Sequence, residues 1–307
     1  LGPVWLNGVV PGTVRRLGLD VWVGALAILP LHCPVPAVAM VHDLTPRTHP
    51  GRHTLRNRLV FRAFLTRSLR QARSVVAGSA ATAAEVLAAF PWLGARVETI
   101  GYGVDERFSP PPPDDDGAEL RRRFSAGRPY LLHLGTLEPR KGIPELVAAW
   151  ERLAGAGGVV PDLVLAGREG WQTAAILQRV RSSPRSDRIH LPGYVARDDA
   201  RGLLRHAEAF VLASEAEGFG LPLAEAISCG SPAVASDIPA LREAGGDAAL
   251  YVPVGDVEAL AAAIAGALEP STAGRLRELA RARAPKLRWG PVVAAWAKLL
   301  ERVVSRE

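Results

Sequence analysis

The sequence predicts an α/β protein of two domains, each built around a parallel sheet, and three observations lead to this prediction. The chain has 307 residues, which is enough for two separate cores. Short apolar runs alternate with helical patterns from end to end, which is typical of consecutive β–α–β units. A proline-rich stretch, "SPPPPDDDG" at residues 109–117, interrupts that alternation. The predicted domains are therefore residues 1–110 and 118–285, followed by a C-terminal helix over 286–307 that we expect to pack back on the first domain.

The first third of the chain holds four predicted strands, the runs "DVWVG", "PAVAMVH", "SVVAGS" and "RVETIG". Residues 21–41 carry no full charge and have the length of a membrane span. However, Pro30, Pro34 and Pro36 would break a helix in this segment. Two buried strands joined by a proline loop are therefore the better prediction.

A basic segment at residues 52–73 lies between the second and third of these strands. Its leucines, Leu55, Leu59, Leu65 and Leu69, mark one side of a predicted amphipathic helix. No acidic residue occurs between Asp43 and Glu85, whereas eight arginines do: Arg47, Arg52, Arg56, Arg58, Arg62, Arg67, Arg70 and Arg73. Such a helix either docks on an anionic membrane surface or presents a solvated face, and the sequence leaves both interpretations open. No aromatic interleaving accompanies the charge, so nucleic acid is not predicted as a partner.

The second domain is predicted to hold six strands with intervening helices, which describes one complete doubly wound sheet. The strands are "YLLHLG", "DLVLAG", "RIHLPG", "AFVLAS", "SPAVAS" and "AALYVP". The two cysteines, Cys33 and Cys229, lie far apart in the sequence and form no zinc-type spacing. A reducing cytoplasm is therefore the expected location.

Two motifs of the second domain follow predicted strands, where open parallel sheets bind their ligands. In "LHLGTLEPRKG", Gly135 and Thr136 end a strand, and Arg140 and Lys141 could neutralise a diphosphate. A solvated polar loop is the alternative, and this motif alone is a weak signal.

The second motif, "SEAEGFGLPLAEAISCG", places acids on both sides of a glycine-rich turn. Glu225, one turn into a helix, could accept hydrogen bonds from the diol of a ribose. Glu217, before the turn, could reach the hydroxyls of a sugar beside the phosphates. Singly, each acid is better explained by the helix dipole or by surface exposure. Together with a turn that fits a phosphate, the binding interpretation is favoured.

Two further features carry charge that could be functional. His42 and Asp43 emerge from a buried strand of the first domain, where His42 could contact a sugar or cap a loop with equal plausibility. Asp114 and Asp116 form an Asp-x-Asp pattern that can hold a divalent metal. No strand precedes this pattern to position it, so we expect a solvated charge run and no metal cofactor.

These motifs together resemble the family-4 retaining glycosyltransferases of GT-B fold. The run from "EGFGLP" to "GDVEAL" is similar to the family's donor-binding signature, and "HLGTLEPRKGIPELVAAW" to its diphosphate loop. "VHDLTPRTHP", "AGSAATAAEV" and "GVDERFSP" resemble landmarks of its first domain and linker. The resemblance runs from about residue 20 to the end, and the "HDLTP" subgroup is similar to bacterial mannosyltransferases of polysaccharide or glycolipid assembly.

The resemblance implies two Rossmann-like domains and a nucleotide-sugar donor, with GDP-mannose or a UDP-sugar as candidates. Arg140 and Lys141 would bind the diphosphate, and Glu225 would hold the ribose. Glu217, Gly218, Phe219, Gly220 and Leu221 would surround the donor sugar and the phosphates. His42 would contact the donor sugar from the first domain. The remaining implied contacts are Gly135 and Thr136 at the phosphates, Gly193 and Tyr194 at the nucleobase, and Arg168 near the nucleotide.

The sequence departs from the family in two places. Only 41 residues precede His42, about half of what the family usually has, so we expect an N-terminally incomplete first domain. Tyr102 in "IGYGVD" stands where the family usually has Asn.

A glycosyltransferase acting on a glycan or lipid-linked acceptor is the predicted function. A nucleotide-sugar epimerase or hydrolase of the same fold, or an inactive nucleotide-sugar-binding partner protein, remain the alternatives. A dinucleotide oxidoreductase is disfavoured because no G-x-G-x-x-G begins a helix after a strand.

Overall fold

The computed structural model describes residues 2–48, 51, 64–155, 157 and 160–305. Contacts divide the chain into two compact units. The first comprises Leu1–Gly103 and Trp289–Glu307, and the second comprises Val104–Arg288. Most of the predicted basic segment, residues 52–63 with Arg52, Arg56, Arg58 and Arg62, lies outside the described residues.

The first unit contains a four-stranded parallel sheet in the order β1-β2-β3-β4. Its strands are β1 (Trp22–Gly24), β2 (Ala37–Val41), β3 (Ser74–Ala77) and β4 (Val97–Thr99). Its N-terminal helices are α1 (Gly2–Gly8), α2 (Val10–Leu17), α3 (Thr45–Thr48), α4 (residues 64–71) and α5 (Ala80–Ala89). A 3₁₀ segment, Pro91–Arg96, precedes β4. Residues 21–41 thus form two strands and their connection, as the prolines predict.

Side chains of β2 and β3 are buried on both faces of this sheet, which explains why both strands are almost entirely apolar. Leu65 and Leu69 of α4 are buried against one face, so the described half of the predicted leucine stripe does face the core. Helix α5 begins after Ser79, whose Oγ accepts a hydrogen bond from the Thr82 N–H at 3.0 Å, as a preferred N-cap residue does.

The second unit contains a six-stranded parallel sheet in the order β10-β9-β8-β5-β6-β7. Its strands are β5 (Tyr130–Leu134), β6 (Asp162–Ala166), β7 (Ile189–Gly193), β8 (Ala209–Leu212), β9 (Ala233–Ser236) and β10 (Leu250–Val252). Its α-helices are α6 (Ala118–Phe124), α7 (Ile143–Gly155), α8 (Thr173–Arg181), α9 (Arg197–His206), α10 (Leu221–Ser228), α11 (Pro239–Gly245), α12 (Val257–Leu268) and α13 (Pro270–Arg283). Its 3₁₀ segments are Pro139–Lys141, Ser186–Arg188, Gly246–Ala248 and Ala284–Leu287.

The strand order of the second sheet determines where its loops meet. Strand β5 is paired with β6 on one side and with β8 on the other. The chain order therefore reverses beside β5, and the loops after β5 and β8 leave the same edge of the sheet as neighbours. Ligands of doubly wound sheets bind at such switch points. Leu146, Val147 and Trp150 of α7 are fully buried and anchor the helix that follows the first of these loops.

The last helix, α14 (Trp289–Ser305), belongs to the first unit. Leu299 and Val303 of α14 are buried in one cluster with Val38 of β2 and Val76 of β3. Helix α14 thus packs on the opposite face of the first sheet from α4.

The predicted break at residues 109–117 differs from the structure, because the boundary between the units lies between Gly103 and Val104. The proline-rich stretch is bound to the second unit: Arg205 Nε donates to the Ser109 carbonyl at 2.8 Å. Asp114, Asp115 and Asp116 are all exposed, as predicted for a solvated charge run, although two of them make local contacts. Asp115 lies 3.1 Å from His206 Nε2, and Asp116 accepts a hydrogen bond from the Ala118 N–H at the start of α6.

Two features are absent from the described residues. No helix in the described ranges is both long enough and apolar enough to cross a membrane. Among the same residues, no three His, Cys, Asp or Glu side chains lie close enough together to hold a metal ion.

Candidate active site

The loops after β5 and β8 are in direct contact at the edge of the second sheet. The 3₁₀ turn Pro139–Lys141 ends at Gly142, which has a φ of +61°. A Cβ atom at Gly142 would lie 2.1 Å from the Ala213 carbonyl oxygen, so glycine is required by both its conformation and its surroundings. The Glu215 N–H donates to the Arg140 carbonyl at 2.8 Å. The two loops therefore form one packed layer that carries the charged side chains.

Lys141, Arg140 and Glu217 meet in this layer and form, with Glu138, a buried charge cluster. Lys141 Nζ lies 2.6 Å from Glu217 Oε1, and Arg140 Nη1 lies 3.3 Å from Glu217 Oε2. Arg140 Nη2 also lies 2.6 Å from Glu138 Oε1. Ser214 Oγ donates to Glu217 Oε1 at 2.7 Å. The side chains of Lys141 and Glu217 are only 8% and 9% exposed, so this is an ion pair shielded from water.

The Glu217 carboxyl stays ionised in this setting. Its burial acts to raise its pKa, but Lys141 and Arg140, together with hydrogen bonds from Lys141 and Ser214, outweigh burial and lower the pKa below its ordinary value. Glu138 and Glu217 balance Arg140 and Lys141 in charge. An anion that enters this site therefore has to draw the two cations away from their carboxylates.

Glu225 lies on α10, which begins directly after the loop that carries Glu217. Gly220 is the N-cap of α10 with a φ of +95°, and a Cβ there would lie 2.3 Å from Leu241 Cδ2. Pro222 lies in the first turn, where a missing N–H costs no hydrogen bond. In the described part of the chain, no group accepts a hydrogen bond from the backbone N–H of Gly220 or Leu221. The turn thus offers backbone donors at the positive end of a helix.

The Glu225 carboxyl differs from that of Glu217, which is held by Lys141 and Arg140. No described residue donates a hydrogen bond to it or forms an ion pair with it. Burial raises its pKa to about 7, Arg197 opposes this shift and Asp105 adds to it. A half-buried carboxyl without a donor is costly to the fold alone. It is a ready acceptor for the hydroxyls of a ligand.

Three further predicted residues lie together after β6 and β7. Gly193 ends β7, and its carbonyl accepts a hydrogen bond from the Gly167 N–H at 2.8 Å. The Arg168 guanidinium lies over the ring of Tyr194, 4.7 Å from its centroid, and the Tyr194 ring is 65% exposed. This stack presents a flat cationic surface to solvent. Gly135 and Thr136, after β5, lie at the same sheet edge.

His133 is a residue of this region that the sequence analysis did not single out. It is fully buried in β5, and its Nδ1 lies 3.2 Å from the Val211 carbonyl, so Nδ1 carries the hydrogen. Its Nε2 has no hydrogen-bond partner in the described part of the protein. Burial, with help from Lys141, lowers its pKa to about 4. The signal in the sequence was a histidine inside the apolar run "YLLHLG".

His42 follows β2 in the first unit, at the carboxyl end of the strand as predicted. Its Nδ1 is hydrogen-bonded to the Tyr102 hydroxyl, and its Nε2 lies 2.5 Å from the Ala25 carbonyl. Asp43 Oδ1 accepts from the Thr45 N–H at 2.9 Å and so caps α3. The cap is therefore formed by Asp43, whereas both nitrogens of His42 are engaged by Tyr102 and Ala25. In the sequence, Tyr102 stands out only as a departure from the Asn that the family usually has.

Two known protein families match the chain, and their matched residues include the site described above. A family described as "Glycosyl transferases group 1" matches residues 128–270, which contain the buried charge cluster and Glu225. A family described as "Glycosyltransferase Family 4" matches residues 17–108, which contain His42 and Tyr102. Together the two matches cover more than half of the chain.

The chain belongs to these two glycosyltransferase families.

Two relatives that are similar to the chain over most of its length are bacterial. The chain is 33% identical over 247 residues to O-antigen chain mannosyltransferase B of Escherichia coli, a match that covers 80% of this chain and 64% of that protein. It is 30% identical over 273 residues to a glycogen synthase of Mycobacterium tuberculosis, covering 86% of this chain and 63% of that protein. The glycosyltransferase thus spans less than two thirds of the length of both relatives.

Solved structures confirm the predicted fold. A glycosyltransferase from Rickettsia africae aligns with a TM-score of 0.78 at 15% identity, covering 99% of this chain and 82% of that one. Anabaena Alr3699/HepE, solved with UDP and glucose, aligns with a TM-score of 0.72 at 23% identity, covering 89% and 72%. These structures confirm the predicted GT-B fold, and the two family matches confirm the predicted family. The roles assigned to individual site residues remain predictions.

Proposed function

We propose that this glycosyltransferase transfers a sugar from a nucleotide-diphosphate sugar to a glycan or lipid-linked acceptor with retention of configuration. The observation that supports it best is the difference between two acids, Glu217 and Glu225, on the loop after β8 and the helix that follows it. Glu217 is ionised and bound to Lys141 and Arg140, whereas Glu225 has a raised pKa and receives no hydrogen bond from any residue that the structure describes. This arrangement suits a ligand with an anionic centre and hydroxyls beside it.

The proposed roles follow from charge and position. The diphosphate takes Arg140 and Lys141 from their carboxylates, and Glu217, once released, accepts hydrogen bonds from the donor sugar. Glu225 binds the ribose diol, and Gly220 and Leu221 offer backbone N–H groups. Gly135 and Thr136 lie beside the phosphates. The Arg168–Tyr194 stack and Gly193 lie at the nucleobase, and His42 contacts the donor sugar.

In the proposed reaction, the bond between the sugar C1 and the β-phosphate oxygen breaks while a bond forms from C1 to the acceptor hydroxyl oxygen. The leaving phosphate takes the proton of that hydroxyl, on the same face of the sugar, so the configuration is retained. The negative charge that develops on the leaving group is stabilised by Arg140 and Lys141. The scheme needs no metal and no enzyme nucleophile. Analysis of the product anomer tests it, and inversion would contradict it.

The donor is proposed to be GDP-mannose, because the relative from Escherichia coli is named a mannosyltransferase. UDP-sugars are the alternative, in line with the UDP and glucose found in Alr3699/HepE. A thermal-shift panel of GDP-mannose, UDP-glucose, UDP and GDP tests both. We expect one donor to raise the melting temperature, and we expect Glu225→Gln to lose that rise, whereas the exposed control Glu258→Gln keeps it. No rise with any donor would count against the proposal.

We also propose peripheral contact with anionic membrane on the cytoplasmic side, through the basic segment at residues 52–73. In the described part, the Arg70 and Arg96 guanidiniums lie 5.9 and 5.5 Å from the ring centroid of Trp92, which is 45% exposed. An exposed Trp flanked by cations suits a lipid interface. Binding of the chain to phosphatidylglycerol vesicles should fall in Trp92→Ala and stay unchanged in the control Trp171→Ala, which alters a tryptophan that is 46% exposed in the second unit. Equal binding to neutral vesicles would contradict it.

A further inference from the structure

The hydrogen bonds of His42 determine which of its ring nitrogens carries the hydrogen. Nε2 lies 2.5 Å from the Ala25 carbonyl oxygen. A carbonyl oxygen only accepts hydrogen bonds, so Nε2 must be the donor. In the neutral imidazole the other nitrogen is then an acceptor. The Tyr102 hydroxyl therefore donates to Nδ1 of His42.

Tyr102 is held in this position by its surroundings. Its ring lies against that of His42 with the centroids 5.8 Å apart and an angle of 24° between the planes. On another side it packs on Gly78, where a Cβ atom would lie only 2.4 Å from Tyr102 Cε2. Burial, and then the charge of Asp43, raise the pKa of Tyr102 to about 12, so the phenol keeps its hydrogen at neutral pH.

We propose that Tyr102 is a positioning residue that holds the His42 ring through Nδ1, while the Ala25 carbonyl selects the tautomer with hydrogen on Nε2. His42 then offers a substrate a donor and not a general base, because its basic nitrogen is occupied by the phenol. A hydroxyl or phosphate oxygen of a substrate is an acceptor of the same kind as the Ala25 carbonyl and would replace it at Nε2. The inference rests on the proposed function only for its kinetic consequence. The tautomer and the bond from Tyr102 are properties of the first unit alone.

The test is ¹⁵N NMR of the histidine rings in the full chain, with the His42 signals assigned from a His42→Asn variant. Wild type should show His42 with hydrogen on Nε2. His133 provides an internal reference, since its Nδ1 faces a carbonyl and it should show the opposite tautomer. In Tyr102→Phe, the Nδ1 resonance of His42 should shift because Nδ1 loses its donor, while the Ala25 carbonyl keeps the hydrogen on Nε2. A wild-type His42 with hydrogen mainly on Nδ1, or identical His42 signals in Tyr102→Phe, would overturn the proposal.

Two controls separate a positioning role from general loss of packing. Tyr251→Phe also removes a bonded phenol, one that donates to the Gly246 carbonyl at 2.8 Å, and should leave the His42 signals unchanged. Gly78→Ala keeps the phenol but pushes the Tyr102 ring out of place, so it should alter the His42 signals as Tyr102→Phe does. If Tyr102→Phe folds poorly, Gly78→Ala provides the same test.

The Tyr102→Phe variant also has an expected effect on the kinetics of the proposed reaction. Tyr102→Phe should lower kcat/KM for sugar transfer about tenfold and leave the Kd of the nucleoside diphosphate unchanged, because the proposed nucleotide contacts all belong to the second unit. If no donor is used at all, the proposed function fails while the NMR result still decides the role of Tyr102. If transfer occurs and Tyr102→Phe changes neither spectrum nor rate, the positioning role fails while the proposed function stands.

Discussion

Lys141 Nζ lies 2.6 Å from Glu217 Oε1, although the two residues are 76 positions apart in the chain. The pair joins the loop after β5 to the loop after β8, and Arg140 reinforces it from the same side. Because both side chains are almost fully buried, the pair has a structural role besides any role toward a ligand. Breaking the pair should therefore destabilise the fold as well as change the site.

Glu217→Gln should lower the free energy of unfolding by about 3–5 kcal/mol, since removing one member of a buried pair leaves an uncompensated charge. The native pKa of Glu217 is lowered, so the stability it contributes is present above its ordinary pKa of 4.5 and is lost as the pH falls below that value. Urea unfolding at pH 7 and pH 4 measures both effects. Glu217→Gln should lose less stability between these two pH values than wild type does.

The control for this prediction is Glu258→Gln, which breaks the Arg152–Glu258 pair, with side chains 61% and 63% exposed. Exposed pairs contribute about 0–1 kcal/mol. The double variant Lys141→Met with Glu217→Gln removes both charges and should be more stable than Glu217→Gln alone. If Glu217→Gln were as mild as the control, the pair would not be shielded from water.

The contribution of Glu225 to stability should depend on pH in the opposite direction from that of Glu217. Its pKa is raised to about 7, so between pH 4.5 and 7 the folded chain holds a proton that the unfolded chain has released. The contribution of Glu225 to stability therefore falls as the pH rises through this window. Glu225→Gln lacks this loss and should gain about 1–3 kcal/mol relative to wild type between pH 5 and pH 8. Thermal unfolding of both proteins at the two pH values measures it, and parallel curves would contradict it.

The sequence predicted the ten strands of the described residues because most of them are apolar runs ended by glycine, proline or a polar residue. It also located the loops that hold Arg140, Lys141 and Glu217, because strand ends in parallel sheets are recognisable from the runs themselves. The pairing of Lys141 with Glu217 was not predicted, since contacts between distant loops depend on strand order. Strand order is not encoded in local periodicity.

The contacts of the proline-rich stretch and the bond between Tyr102 and His42 were not predicted, for related reasons. Prolines at 110–113 suggested a free linker, but Arg205 and His206 of α9 bind the flanking residues Ser109 and Asp115. A composition shift shows that a segment lacks regular structure and says nothing about what it contacts. Likewise, the bond from Tyr102 to His42 spans 60 residues, and only the fold brings them together.

Lys141→Met should weaken binding of the nucleoside diphosphate about 10- to 150-fold, the effect of losing one charge-assisted bond of about 1.5–3 kcal/mol. Calorimetric titration with GDP and UDP measures it. Lys298→Met removes an exposed lysine of α14 and should leave affinity unchanged. The double variant with Glu217→Gln distinguishes the two causes of a weaker affinity: if it binds like wild type, the loss in Lys141→Met came from the unbalanced carboxylate and not from a lost phosphate contact.

His133→Phe should remove a dependence of stability on pH with little loss of stability at pH 7. The pKa of His133 is lowered to about 4, so between pH 6.5 and 4 the unfolded chain binds a proton that the folded chain rejects. Its contribution to stability is therefore present above pH 6.5 and falls as the pH drops through this window. Phenylalanine keeps the ring volume, removes the unpartnered Nε2 and gives up the bond to Val211, effects of opposite sign. Urea midpoints at pH 7.5 and 5 measure the difference. His190→Phe, which removes a histidine paired with Asp162 at 2.8 Å, is the control and should cost stability at both pH values because it breaks a bond to a buried carboxylate.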